Sequence, residues 1–160
     1  MRSYQVFANM SPDCAERMMR GLSDKSPMVF AQALATASAA MKARPVYLKR
    51  QPFAKRAAAV RRALSRVTAN PMADEILAVY FLECQRDLLT EWLDRVGLEH
   101  EDGSLKEETP EAPEESLLKS AIAEYLAADD NPDRPLLLQA FGAQVAIEWP
   151  ALDAQLEVDG

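Results

Sequence analysis

The chain has 160 residues, 49% of them apolar and 27% charged, a globular composition that excludes a wholly disordered polymer. A domain of this length buries roughly 70% of the surface that its unfolded chain exposes, so it needs no metal or disulfide staple. The formal charge of −7 argues against a generic polyanion binder, yet residues 1–70 hold 13 Lys/Arg against 3 Asp/Glu while residues 71–160 hold 5 against 22. We therefore expect one domain over 1–160, with a basic lobe, 1–69, and an acidic lobe, 70–160.

Helix signals recur along the chain and strand alternation is absent. Ser11-Pro12, Ser26-Pro27 and Asn70-Pro71 each set a capping oxygen before a proline at the first helical position, which predicts three helix starts. The stretch from Met28 to Ala40 has the look of a signal-peptide apolar core, but it begins too late and includes Gln32 and Thr36. It is read instead as a helix ending near Ala43, with Phe30, Ala33, Leu34, Ala37 and Met41 on one stripe and Ala31, Ala35, Ser38 and Ala39 around much of the rest. Pro45 and Pro52 bracket a short turn-rich piece around Val46-Tyr47-Leu48.

A second helix is predicted from about Pro52 to Val67. At 100° per residue, Phe53, Ala57, Val60, Leu64 and Val67 share one side, and Lys55, Arg62 and Arg66 point the opposite way. No carboxylate lies between Asp24 and Asp74, so this outer face is purely basic.

Residues 71–96 predict a long central helix ending at Gly97, about 39 Å at 1.5 Å per residue. Its first half, from Ile76 to Leu82, is apolar on every side. Its second half sets Cys84, Leu88, Leu89, Trp92, Leu93 and Val96 inward and Glu83, Asp87, Glu91 and Asp94 on an acidic strip. Gln85 falls among the inward set, and a buried amide needs partners; a backbone group nearby is the expected one. Tyr80, Phe81, Leu88 and Trp92 are expected to be buried.

Residues 99–115 combine Gly103, Pro110 and Pro113 with many carboxylates and predict an exposed loop. Helices resume at about 114–128 and 132–149, and Pro150 kinks or restarts the last one. The fold class is therefore all-α: a single irregular domain of about six or seven helices around the 71–96 helix, with no sheet. Glu91-Trp92-Leu93 and Glu124-Tyr125-Leu126 echo each other 33 residues apart, but the other landmarks of helical repeats are missing.

Chemistry is sparse. His100 is the single histidine, so serine or cysteine triads and histidine-rich metal sites would all have to use it. Glu99, Glu101 and Asp102 flank it, yet adjacent turn positions cannot all aim at one ion, and a solvated or turn-capping ring is the plainer reading. Cys14 and Cys84 are 70 positions apart, with neither metal-type spacing nor a CxxC motif, which points to a reduced cytoplasm. Asp129-Asp130-Asn131-Pro132-Asp133 opens like a calcium loop but has Arg134 where glycine belongs. Capping by Asp130 or Asn131 explains the same residues. Only five glycines are present, too scattered to cradle phosphate.

These observations point to a non-enzymatic helical binding or protein–protein interaction module that uses no cofactor or metal. Lys55, Arg62 and Arg66 are its candidate binding residues. They are expected to face acidic surface, either the Glu83 to Asp94 strip of the same fold, a second copy, or an unidentified protein partner. The alternative is a nucleic-acid-associated protein using residues 42–66, with Tyr47 or Phe53 available to stack on a base. A metal-dependent enzyme built on the His100 loop ranks third. No run reaches the roughly 18 apolar residues that a membrane span needs, so no membrane role is expected.

Overall fold

The computed structural model describes the backbone of residues 1–159 and the side chains through Glu157. With 71% of residues helical and 3% in strands, the all-α class holds. The described residues form ten α-helices rather than six or seven, because the chain adds two short helices, Ser3–Asn9 and Pro45–Lys49, and divides the 71–96 segment in two. No helix among them is long and apolar enough to cross a membrane. Two compact units form, one of Arg2–Cys84 and the other of Met1 with the chain from Gln85 onward. The first holds 13 basic and 6 acidic side chains, net +7, and the second 5 and 19, net −14.

The basic unit begins with α1 (Ser3–Asn9), α2 (Pro12–Lys25), α3 (Pro27–Ala40) and α4 (Pro45–Lys49). It continues with α5 (Phe53–Leu64), a 3-10 turn (Val67–Ala69), α6 (Asn70–Val79) and a π-helical turn (Tyr80–Cys84). Helices α2, α3 and α5 pack on one another, and α1 lies against α5 and α6. Val6, Phe7, Met18, Leu22, Val60, Leu64, Ile76 and Leu77 fill the space between them. Ser11 caps α2 by accepting from the Cys14 N–H at 3.1 Å. Asn70 does not cap its own helix: its Oδ1 accepts from the Tyr4 N–H at 3.0 Å and so caps α1. Beside it, the buried Ser3 hydroxyl donates to Asp74.

Helix α3 stops at Ala40, short of the predicted Ala43. Lys42 has φ 54°, and the Ala43 and Lys42 N–H groups reach back to the Ser38 and Ala39 carbonyls at 3.0 and 3.1 Å. This is the left-handed helix stop that glycine usually supplies, here made by lysine. Helix α5 likewise ends at Leu64, which leaves Val67, assigned to the core stripe by periodicity, 60% exposed.

The predicted 71–96 rod is divided. The π turn ends at Cys84, and Gln85, at φ −134° and ψ 41°, leaves the helix before α7 (Arg86–Arg95) begins. Its first half belongs to the core of one unit and its second half to the core of the other. The π turn packs on α2 at Gly21, where a Cβ would stand 3.2 Å from the Tyr80 ring and 3.4 Å from the Cys84 sulfur. Tyr80, Phe81, Leu88 and Trp92 are all buried.

After α7 come β1 (His100–Glu101), β2 (Ser104–Leu105), α8 (Glu115–Ala127), α9 (Arg134–Ala143) and α10 (Pro150–Asp159). Gly97, at φ 75°, ends α7 as predicted: its N–H reaches Asp94 O at 3.2 Å, and the Leu98 N–H reaches Leu93 O at 2.9 Å. The expectation of no sheet is corrected by one antiparallel pair, His100 opposite Leu105 and Glu101 opposite Ser104. Asp102 and Gly103 both take positive φ, 51° and 95°, as a two-residue hairpin turn requires.

Helix α9 starts later than Pro132 and ends before Trp149. Trp149 instead buries its indole and donates to the Pro110 carbonyl at 2.9 Å, which pins the otherwise exposed 99–115 segment. Edge-on contacts join Tyr125, Trp92, Phe141 and Trp149 in a chain of rings with centroids 5.1–6.0 Å apart.

Candidate binding surface on the basic unit

Lys55, Arg62 and Arg66 line a single groove of about 200 Å³ in the basic unit. Its floor is Ala40 and Met41 at the end of α3 with Ala58, Ala59 and Ala63 of α5. Residues 55, 58, 59 and 62 share one face of α5 because three- and four-residue steps nearly complete a helical turn. Arg66 arrives differently from the prediction. It lies beyond the end of α5 in extended conformation, φ −85° and ψ 142°, and reaches the same groove from the turn. All three cations are exposed, as is 45% of Met41.

From Lys42 to Arg66 the unit carries nine cations, and among the described residues none is ion-paired with a carboxylate of its own unit. Their charge is therefore uncompensated locally, and a concentrated positive potential stands over an apolar floor.

Phe53 is not free to stack on a base. Its ring lies parallel to Phe30, centroids 5.8 Å apart, and the Arg20 and Arg56 guanidinium carbons sit 4.4 and 4.9 Å from its centroid. Tyr47, on α4, is 53% exposed.

Of the two plain readings of His100, turn capping holds and solvation does not, since only 14% of its side chain is exposed and the ring serves the hairpin turn. Nδ1 accepts from the Gly103 N–H at 3.1 Å, which leaves Nε2–H to donate to Asp94 Oδ1 at 2.7 Å. The ring thus ties the hairpin turn to α7, and its carboxylate partner comes from the helix rather than from Glu99, Glu101 or Asp102. No group of three His, Cys, Asp or Glu residues is placed to hold a metal ion among the described residues. Cys14 and Cys84 form no disulfide. Burial pushes the Cys84 thiol up, reinforced by Glu83 and opposed by Lys25, the reverse of what activates a nucleophile.

The Asp129 to Arg134 segment does more than cap a helix. Arg134 is 3% exposed, and its guanidinium meets Asp130 Oδ1 at 2.7 Å, both Glu91 oxygens, and the Tyr125 carbonyl at 3.3 Å. It also lies over the Tyr125 ring at 4.7 Å. The hydrogen bonds that Arg134 donates to Glu91, then to Asp130, hold the guanidinium charged, and the Arg134 bond holds the Asp130 carboxyl below its usual range. Burial raises the Tyr125 phenol, whose O–H donates to Leu88 O at 3.0 Å. Gln85 finds side-chain partners across its unit: it donates to Asp133 Oδ2 at 3.0 Å and accepts from Asn131 Nδ2 at 3.2 Å. Asn131 in turn accepts from the Asp133 N–H at 2.9 Å. Hydrogen bonds thus tie Gln85 and Glu91 to the 130–134 segment within one unit.

Comparison with protein-family models, curated proteins and solved structures finds no match to this chain. The class defined by the fold and surface is thus an all-α chain of two compact units, one with a cationic groove.

Proposed function

We propose that the protein is a non-enzymatic helical binding module whose α3–α5 groove takes an acidic, apolar-faced segment of a partner protein. The observation that carries this reading is the convergence of Lys55, Arg62 and Arg66 on one alanine-floored groove without a carboxylate of their own unit among the described residues. Alanine side chains let a docked helix approach closely, and the rim cations complement its charge. A nucleic acid would find the same charge but no aromatic ring among the groove residues, and the chain as a whole carries −7. Two cysteines outside any disulfide fit a reducing compartment, so the proposed location is the cytoplasm.

The test is fluorescence anisotropy with a labelled acidic amphipathic peptide, a labelled single-stranded oligonucleotide, and sedimentation of the protein alone. Saturable peptide binding that weakens with salt and is lost in K55E/R62E/R66E supports the reading. Tighter retention of the oligonucleotide at physiological salt, abolished by the same variant, replaces it with the nucleic-acid reading. Salt-sensitive self-association abolished by that variant would make a second copy the occupant instead.

A further inference from the structure

The acidic segment between α7 and α8 is fastened by Trp149 and by His100, and of these two only the histidine can take up a proton. Trp149 donates its indole N–H to the Pro110 carbonyl at 2.9 Å, and both residues are buried. His100 joins the hairpin turn to α7. Around these points Glu101, Asp102, Glu107, Glu108, Glu111 and Glu114 are exposed.

Gly103 lies between the paired residues Glu101 and Ser104, so the strand ladder does not use its N–H. The glycine is buried, and its N–H donates to His100 Nδ1 at 3.1 Å. An imidazole nitrogen accepts only while it carries no proton, so this bond requires the neutral ring with its hydrogen on Nε2. The Nε2–H in turn donates to Asp94 Oδ1 at 2.7 Å. Protonation of the ring keeps that second bond and strengthens it by adding charge. It also makes Nδ1 a donor that faces another donor, and the buried Gly103 N–H loses its acceptor.

We propose that His100 is a pH-sensitive catch: neutral, it fastens the Asp102-Gly103 turn to α7; protonated, it stays with Asp94 and lets the turn go. Asp94 meets the ring from α7, and Glu99, Glu101 and Asp102 adjoin it in the chain. Arg95, the cation beside Asp94, is taken up by Glu124 at 2.7 Å, and Lys106, just past β2, is exposed. An imidazolium therefore keeps Asp94 as its counter-charge, so the turn gives way and the contact with α7 does not. The catch belongs to the acidic unit and stands without the function proposed for the groove of Lys55, Arg62 and Arg66.

The test is nuclear magnetic resonance on the full, isotope-labelled chain between about pH 8 and pH 5, the range over which histidines change charge. At the alkaline end the ring nitrogens should show the Nε2–H tautomer and a scalar coupling across the hydrogen bond to the Gly103 nitrogen. As the ring takes up its proton, the coupling should vanish. Protection of the Gly103 amide against exchange, corrected for the intrinsic pH dependence, should fall by about tenfold or more with the same midpoint. The Trp149 Nε1–H, held by a carbonyl that does not titrate, should stay protected throughout, which separates release of the turn from acid unfolding of the unit. His100→Gln offers a donor and an acceptor but takes up no proton, so its Gly103 amide should be equally protected at both ends of the range. Unchanged Gly103 protection in the wild type overturns the proposal. So does an equal fall in His100→Gln, or a Trp149 Nε1–H that loses protection together with Gly103.

Discussion

From Gln85 onward cations are few and largely engaged. Arg95 holds Glu124 at 2.7 Å, Lys119 holds Glu115 at 3.4 Å, and Arg134 is enclosed by Glu91 and Asp130. In Arg2–Cys84 the opposite holds, because the nine cations from Lys42 to Arg66 have no ion pair within their unit among the described residues. Arg134 in the acidic unit is a building element, whereas Lys55, Arg62 and Arg66 in the basic unit are exposed and carry no ion pair within it among the described residues. Function is therefore sought where charge is unspent and stability where it is satisfied.

The largest expected effect tests what the two units share, an aromatic core, rather than what separates them. Phe81 is 4% exposed and meets the Tyr80 ring edge-on at 5.2 Å. Phe81→Ala should cost about 3–5 kcal/mol, the usual range for a core aromatic, measured by urea unfolding. A loss below about 1 kcal/mol would remove the π turn from the core of its unit.

Arg134→Gln sharpens the comparison from the other side. Removing one partner of a buried ion pair is strongly destabilising when the other is left buried. Here Glu91 and Asp130 keep 39% and 69% of their side chains in solvent, so screening lowers the loss to about 2 kcal/mol. The pH dependence has a definite sign. Asp130 is held below its usual range by Arg134, so its contribution is full above the unfolded value, near about pH 4, and is lost as pH falls through the lower folded value. Stability curves of the wild type and Arg134→Gln should therefore draw together in strong acid and run apart at neutral pH. Parallel curves through that window would show that Arg134 acts by packing alone.

Much of the fold is legible in the sequence because its signals are local. Ser11-Pro12 marks a helix start, Gly97 marks a stop, and Lys55 and Arg62 share a face by counting residues. The signals that fail are those that periodicity cannot carry. Between Ile76 and Leu93 only Gln85 interrupts the inward apolar stripe; a π turn needs neither proline nor glycine, and Gln85 leaves the helix with its amide bonded to residues 46 and 48 positions away. Lys42 ends α3 without the expected glycine. The Asp102-Gly103 pair is a hairpin signal that was available, masked by the acidic loop around it. The groove's cations could be found from charge alone, but its alanine floor, drawn from α3 and α5 together, could not, because a contact between helices has no local sequence signature.

The smallest expected effect on stability completes the contrast. Lys55, Arg62 and Arg66 have no ion pair to lose within their unit among the described residues, and each is exposed. Their replacement by Gln, singly or together, should change stability by no more than about 0.5 kcal/mol per site. The direction is informative: like charges crowded on one surface repel, so the triple variant should be slightly stabilised at low salt, and the gain should vanish as ions screen it over about 8 Å at 0.15 M. Arg62→Gln and Arg134→Gln are the same chemical change in one chain, and urea midpoints at low and high salt should separate them, with a small salt-dependent gain for the first and a clear loss for the second. Equal losses would mean that Arg62 is built into the fold after all, and the groove would then be a structural seam rather than a surface left open for a partner.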